Sequence, residues 1–270
     1  MSPVLPSLKH SFPFDSGTTS YLYPFETDNL TRNVEIISEA VDAIQLLFFG
    51  KNYLDELLTQ TNLEALKKIQ TEKKVRYCIH LPTDFDLLNP VQDHLEKTLK
   101  GIEKILKACK DLEVNYYILH IDRCGNCTYP EISWNEKTKK RFDICLQAIT
   151  ALFEKPSSLC IENTSRSLEE VKEEIEANHV SVCCDLGHLM LQKQSFDPML
   201  TLFKNRTPVI HLHGVQKGKD HLALPCLPKE DLQSLKTFLK TYQGTVIMED
   251  FNEKDFISSA LWMKENLQKR

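Results

Sequence analysis

Val180-Ser-Val-Cys-Cys-Asp-Leu-Gly-His188 is the stretch that decides the fold. It opens as a short, mostly apolar, β-rich run and ends on an acid that leads into residues of helical character. Such a run reads as a strand buried on both faces, which is what parallel strands covered by helices require. Working outward, strands of this kind are predicted at Gly17–Tyr23, Ile44–Phe49, Val75–Leu81, Tyr116–Ile121, Leu159–Glu162, Val180–Asp185, Val209–His213 and Thr245–Glu249.

The stretches between them carry helix signals. Asn89-Pro90 reads as an N-cap with proline at the first helical position, followed by an apolar stripe of Val91, Leu95, Leu99, Ile102, Leu106 and Cys109. Ser167-Leu-Glu-Glu170 reads as a capping box, with Leu168, Val171 and Ile175 turned inward. Asp197-Pro198 and Asn252-Glu-Lys-Asp255 open two further helices. Leu30, Val34, Ile37 and Val41 form another stripe; Leu54, Leu58, Leu66 and Ile69 form one with a break near Thr61-Asn62. Eight strands alternating with helices over 270 residues, about 34 per unit, predict an α/β fold: a (β/α)8 TIM barrel. One domain is expected over 1–270, with the barrel proper at about 16–268. A doubly wound open sheet competes, but it usually carries a glycine-rich phosphate loop, and this chain has eight glycines and no GxGxxG.

The net charge of −5 comes without a clustered excess of Lys and Arg, so no nucleic-acid partner is expected. The segment Met1–Pro6 lacks the basic stretch and apolar core of a secretory signal. The most apolar run, Ala43–Phe49, is too short to cross a bilayer and contains Gln45, so no membrane partner is expected either. Nine cysteines are an odd number, and Cys78, Cys160, Cys183 and Cys184 sit in strand-like runs. Buried free thiols in a reducing, cytoplasmic compartment fit that pattern better than a disulfide framework.

The chemistry lies at the strand ends. His80, His120, Glu162 and Asp185 close strands three to six, and His188 follows in Cys184-Asp-Leu-Gly-His188. Strand seven carries His211 and His213, the next loop Asp220-His221, and strand eight ends in Glu249-Asp250. A single histidine there is ordinarily a hydrogen-bonded structural residue, and a single carboxylate ordinarily caps the next helix. Six consecutive strand ends of this kind are another matter, because a closed barrel converges them on one axis. Carboxylates held there would repel and be desolvated, and a bound cation relieves both penalties. Mixed imidazole and carboxylate ligands suit Zn²⁺ first, with Mn²⁺ or Fe²⁺ next, over Ca²⁺ or Mg²⁺ held by oxygen alone. The ligands suffice for one to three ions per chain, with Glu162 able to bridge. Arg123, Asn163, Arg166 and Lys219 (in Lys217-Gly-Lys219) are candidates for substrate contacts at the same rim. Cys124-Gly-Asn-Cys127 is a lone CxxC read as two loop thiols.

Asp185-Leu-Gly-His188, Ile210-His-Leu-His213, Asp220-His221 and Glu249 resemble the xylose-isomerase-like barrels, the superfamily that includes endonuclease IV. Within it the chain is similar to the cobamide-remodelling phosphodiesterases called CbiR. Gly17-Thr-Thr-Ser-Tyr21, Val182-Cys-Cys-Asp-Leu-Gly-His-Leu189, His211-Leu-His-Gly-Val215 and Asp220-His-Leu-Ala-Leu224 carry that likeness. The resemblance implies hydrolysis of the nucleotide-loop phosphoester of a cobamide, a small-molecule corrinoid partner. It also implies metal ligands: His80, His120 and Glu162 at one edge, Asp185, His211 and Glu249 at another, and His188 with Asp220 and His221 at the third. Glu162, Glu249 and His213 would be catalytic, with His213 near substrate, while Arg123, Asn163 and Lys219 would bind it. Two departures stand out: Asp220-His221 is adjacent where endonuclease IV has Asp-x-His, and the strand-two glutamate of many relatives falls on Gly50.

Other classes remain open. A sugar isomerase or epimerase would move protons with Glu162 and Glu249 beside one metal. An abasic-site DNA endonuclease would need a basic, DNA-sized surface. A non-catalytic corrinoid- or sugar-binding barrel is the third.

Overall fold

Strands this short and apolar bury both faces either between two layers of helices or by closing on themselves with helices outside, and this chain takes the second course. The computed structural model describes residues 5–23, 30–48, 58–85, 87–88, 92–121, 134–164 and 167–268. Its strands are β1 (Asp15–Thr19), β2 (Ala43–Leu47), β3 (Arg76–His80), β4 (Val114–His120), β5 (Leu159–Glu162), β6 (Ser181–Asp185), β7 (Val209–Leu212), β8 (Gly214–Gln216), β9 (Lys219–Leu222) and β10 (Thr245–Met248). Eight of them form a closed parallel barrel in the order β1-β10-β7-β6-β5-β4-β3-β2, with β2 returning to β1. The predicted (β/α)8 barrel is the observed fold.

Helices α1 (Leu30–Ser38), α2 (Gln60–Lys73), α3 (Gln92–Ala108), α4 (Glu136–Thr150), α5 (Lys172–Ala177), α6 (Leu186–Leu191), α7 (Asp197–Leu202), α8 (Leu232–Leu239) and α9 (Glu253–Leu267) alternate with the strands. No helix among the described residues is long and apolar enough to cross a membrane. The expected break near Thr61-Asn62 falls slightly earlier, at the non-helical Leu58 and Thr59: Thr59 caps α2 by accepting the Asn62 N–H, so Thr61 and Asn62 form its first turn. Ser167 accepts the Glu169 N–H instead of closing a capping box, and a 3₁₀ turn, Glu169–Val171, precedes α5. Asn252 does cap α9, accepting from Asp255 N. Asn89-Pro90, Leu54, Gly50, Arg123, Cys124, Cys127 and Arg166 lie outside the described residues.

The period of two within each strand sorts the barrel interior into layers. Ala43, Cys78, Ile118, Cys160, Cys183, Val209 and Ile247 form an apolar cluster of their own, separate from the larger core beneath the helices. Two residues further along each of these strands stand Gln45, His80, His120, Glu162, Asp185, His211 and Glu249. One apolar layer thus supports one polar layer. On β1 the floor position is Gly17, where a Cβ would lie 2.5 Å from Ile247 Cδ1 and 2.8 Å from the Ala43 carbonyl oxygen. Only glycine lets the strands close at that point.

The antiparallel hairpin β8–β9 stands where the sequence pattern predicts plain loop. Its turn places Lys217 at φ 54° and Gly218 at φ 74°, the pair of positive values that a two-residue hairpin matching strand twist demands. The hairpin carries His221 back over the barrel mouth.

Candidate metal centre

The polar layer is a ring of buried acids and imidazoles. Glu162 is its hub: Oε2 lies 3.3 Å from His80 Nε2 and 3.2 Å from His120 Nε2, while Oε1 lies 3.1 Å from His211 Nδ1. Burial opposes its charge, but His211 and His120 overcome it and hold the carboxyl well below the usual range. His211 Nδ1 also stands 3.2 Å from Glu249 Oε1 and 3.9 Å from Asp185 Oδ2. Burial would lower its pKa, yet Glu249 and Glu162 push it up to about 10.

Asp185 takes the capping role weighed for such a residue and keeps its second oxygen turned elsewhere. Oδ1 caps α6 by accepting the His188 N–H at 2.7 Å, and Oδ2 is left buried with no hydrogen-bond partner. Asn163, expected from the sequence to contact substrate, is bonded to the Asp185 backbone. Its Nδ2 donates to the Asp185 carbonyl (2.9 Å) and its Oδ1 accepts the Asp185 N–H (2.8 Å), so a fully buried amide is spent on holding Asp185.

His188, His213 and His221 gather on the far side of Asp185. His188 Nδ1 lies 3.2 Å from Asp185 Oδ2, and His221 Nδ1 lies 3.5 Å from Glu249 Oε2. A catalytic role is expected of His213 from the sequence; the structure shows one of its ring nitrogens hydrogen-bonded within the protein. Nδ1 accepts the His221 backbone N–H at 3.0 Å and Nε2 stands 3.3 Å from Asp185 Oδ1. A protonated His213 would turn Nδ1 into a donor facing that amide. The pull of Asp185, which against burial raises its pKa to about 9, therefore competes with the hydrogen bond that keeps the ring neutral. The amide contact also holds His221 at φ 49°, a conformation few non-glycine residues adopt. His213 fits its slot because position 187 is glycine: a Cβ there would lie 2.2–2.4 Å from the ring.

Four groups of donor atoms lie within 4.8 Å of one another: His80–His120–Glu162; Glu162–Asp185–His211–Glu249; His188–His213–His221; and Glu162–Cys183–His211. The first three gather every expected ligand except Asp220, which joins no group among the described residues. His213 accompanies His188 and His221 in the third group. Lys219 is exposed at the start of β9.

The unpaired atoms of the donor set show whether it suits a metal. His120 Nδ1, Glu162 Oε2, Asp185 Oδ2, His213 Nε2 and His221 Nδ1 are buried without a hydrogen-bond partner, at positions where native proteins leave few such atoms. His80 Nδ1 is bonded to the Leu81 carbonyl (2.7 Å), which turns Nε2 inward as an outer carbonyl does for a ligating histidine. These residues fit divalent cations.

Sequence reasoning named Gln45 and Asp250 in passing and gave neither a role at the site. Gln45 is fully buried, donates Nε2–H to Glu249 Oε1 (3.1 Å), and its Oε1 lies 2.7 Å from His211 Nε2. The signal was present: an amide inside the most apolar run of the chain. Gln45 is the residue of β2 that joins the polar layer, while Gly50, where the strand-two glutamate of relatives was expected to fall, lies outside the described residues. Asp250 is buried against Ser259, whose Oγ donates to it, and burial pushes its pKa up to about 7.

Residues 34–268 match the sequence profile of the xylose isomerase-like TIM barrel family. The chain belongs to that family. Among solved structures, this xylose isomerase-like barrel is similar to a D-tagatose 3-epimerase-like protein (20% identity, 94% of this chain and 97% of that one, TM-score 0.76). It is also similar to 3-keto-D-glucoside 4-epimerase from E. coli (17%, 93% and 99%, 0.73) and to endonuclease IV from Thermus thermophilus (17%, 93% and 99%, 0.70). Identities this low speak for the fold alone. The search of curated proteins gives no match.

Proposed function

We propose that this barrel is a multi-metal phosphodiesterase that hydrolyses the nucleotide-loop phosphoester of a cobamide. The observation that carries the hydrolase reading is that Glu162 belongs to three donor groups at once, two of them built from imidazoles and carboxylates alone, with a separate group of three imidazoles against Asp185. Such a layout suits ions that share a bridging carboxylate, Zn²⁺ foremost, and Mn²⁺ or Fe²⁺ next. His80, His120 and Glu162 would hold one ion, Glu162, Asp185, His211 and Glu249 a second, and His188 and His221 a third. Bound there, the ions would polarise the phosphoryl oxygens and lower the pKa of water. The chain's own part is to fix the donors: Asn163 steadies Asp185, and His213 orients His221. Lys219, exposed beside the mouth, and Arg123 are proposed to meet the substrate's negative charge. The corrinoid substrate rests on the sequence resemblance to CbiR, and a small molecule is favoured over nucleic acid by the net charge of −5.

One observation favours a second reading. Glu162, Asp185, His211 and Glu249 form a compact one-ion set of three carboxylates around one imidazole, in which Glu162 and Glu249 could move protons as a sugar epimerase needs. That reading leaves the His80–His120 pair and the imidazole group without a role. Metal analysis of the purified protein, with cobamide and ketose turnover followed by chromatography, separates the two. Two or three ions per chain with loop cleavage is expected. One ion per chain, ketose epimerisation and intact cobamide under every metal would refute the hydrolase.

A further inference from the structure

We propose that Gln45 is a positioning residue that makes Nδ1 of His211 the metal-facing nitrogen and sets the rotamer of Glu249. The inference deepens the metal-centre reading and rests on it. His211 has two chemically distinct nitrogens, and a neutral ring offers only one lone pair. Nδ1 looks into the space between Glu162, Glu249 and Asp185 at 3.1, 3.2 and 3.9 Å. Nε2 looks the other way, at Gln45 Oε1, 2.7 Å off.

The side-chain amide could in principle sit the other way round, since its oxygen and nitrogen differ little in shape. Its second partner decides. Glu249 Oε1 lies 3.1 Å from the other end of the amide, and a carboxylate oxygen accepts, so the NH₂ must face Glu249. The oxygen is then committed to His211 and calls for a proton on Nε2. The lone pair is thereby left on Nδ1, in the middle of the acids. A glutamate at position 45 would still accept from Nε2–H, but it would set a fourth carboxylate against Glu249. A leucine would fit the apolar strand and do neither. Ala43, one layer below, and the full burial of Gln45 leave the amide no water with which to exchange these bonds.

The test uses full-length protein labelled with ¹⁵N-histidine and loaded with Zn²⁺, read by long-range ¹H–¹⁵N correlation alongside elemental analysis. In the wild type, His211 is expected to carry its proton on Nε2 and zinc on Nδ1. In Gln45→Leu that single arrangement is expected to be lost and Zn²⁺ affinity to fall about 10- to 100-fold, the usual effect of removing an outer hydrogen-bond partner. Gln45→Glu is expected to restore the Nε2 proton. Zinc on Nε2 in the wild type, or an unchanged ring and affinity in Gln45→Leu, overturns the proposal. If Gln45→Leu does not fold, Gln45→Glu decides, since loss of the Nε2 proton where an acceptor remains overturns it. Failure of the wild type to bind zinc would instead sink the metal reading. The metal-free protein, at a pH where the ring is neutral, then judges Gln45: a proton on Nε2 supports the assignment and one on Nδ1 overturns it.

Discussion

Raising the pH of the metal-free protein should unload the charge that His211 carries among its acids. Burial works against that charge, yet Glu249 and Glu162 raise the pKa from 6.5 to about 10. At pH 8 such a ring is about 99% protonated, against about 3% for an ordinary imidazole. A ligating imidazole must be neutral, so loading zinc at pH 8 should expel about one proton from His211 alone. The shift also bears on stability. Because the folded pKa lies above the unfolded one, the stabilisation is fully present below about pH 6.5 and is lost as pH rises through about 10. At about 1.4 kcal/mol per unit the effect is on the order of 4–5 kcal/mol, and the depressed pKa of Glu162 is the same interaction seen from its partner, so it is not added. Proton NMR of the chelator-treated protein reads the titration. Melting curves across this range read the stability, and calorimetry in buffers of different ionisation enthalpy counts the released proton. A ring titrating near 6.5, with melting flat from pH 7 to 10, would refute the reasoning.

Three further outcomes are expected. Asn163→Leu removes both bonds to the Asp185 backbone and should lower stability in urea by about 2–4 kcal/mol; unchanged stability with only a raised KM would return Asn163 to the substrate. Gly187→Ala gains about 1 kcal/mol of helix propensity but drives a Cβ into the His213 ring, at about 1–3 kcal/mol of overpacking. The fold should survive while metal at His188 and His221 weakens, and full metal content with wild-type affinity would contradict this. Asp250→Asn keeps the Ser259 contact and removes a buried acid whose pKa burial lifts to about 7. A raised carboxyl penalises folding once pH exceeds the unfolded value, so the variant should gain up to about 3 kcal/mol at pH 8 and little at pH 4, and equal gains at both would count against it.

The cluster of strand-end acids and imidazoles was legible because each closes an apolar run: His80, His120, Glu162 and Asp185 are the last residues of their strands. Barrel geometry then does the rest, since residues at that height have only one axis to meet on. Gln45 was harder to read. A strand candidate set a residue or two late, at Ile44–Phe49, moves the inward position past the amide that fills it. Asn163 and His213 were assigned by residue type, yet their roles depend on which backbone N–H reaches them, and that contact exists only after β5, β6 and the β8–β9 hairpin have met. The hairpin itself lay in Lys217-Gly218, whose turn chemistry offers a signal that strand-like alternation on either side was too short to reinforce. That His213 joins a donor group and Asp220 joins none among the described residues has the same origin: spacing along the chain says nothing about which side of a two-residue turn faces the mouth.

The apolar layer of Ala43, Cys78, Ile118, Cys160, Cys183, Val209 and Ile247 has a consequence for traffic. It stoppers the barrel from below, so a guest reaching the acids can leave only by the door through which it came. Of two guests in that space, the outer must depart before the inner can. Solvent, too, can be admitted or shut out from one side alone, which makes whatever covers that doorway the sole regulator of hydration.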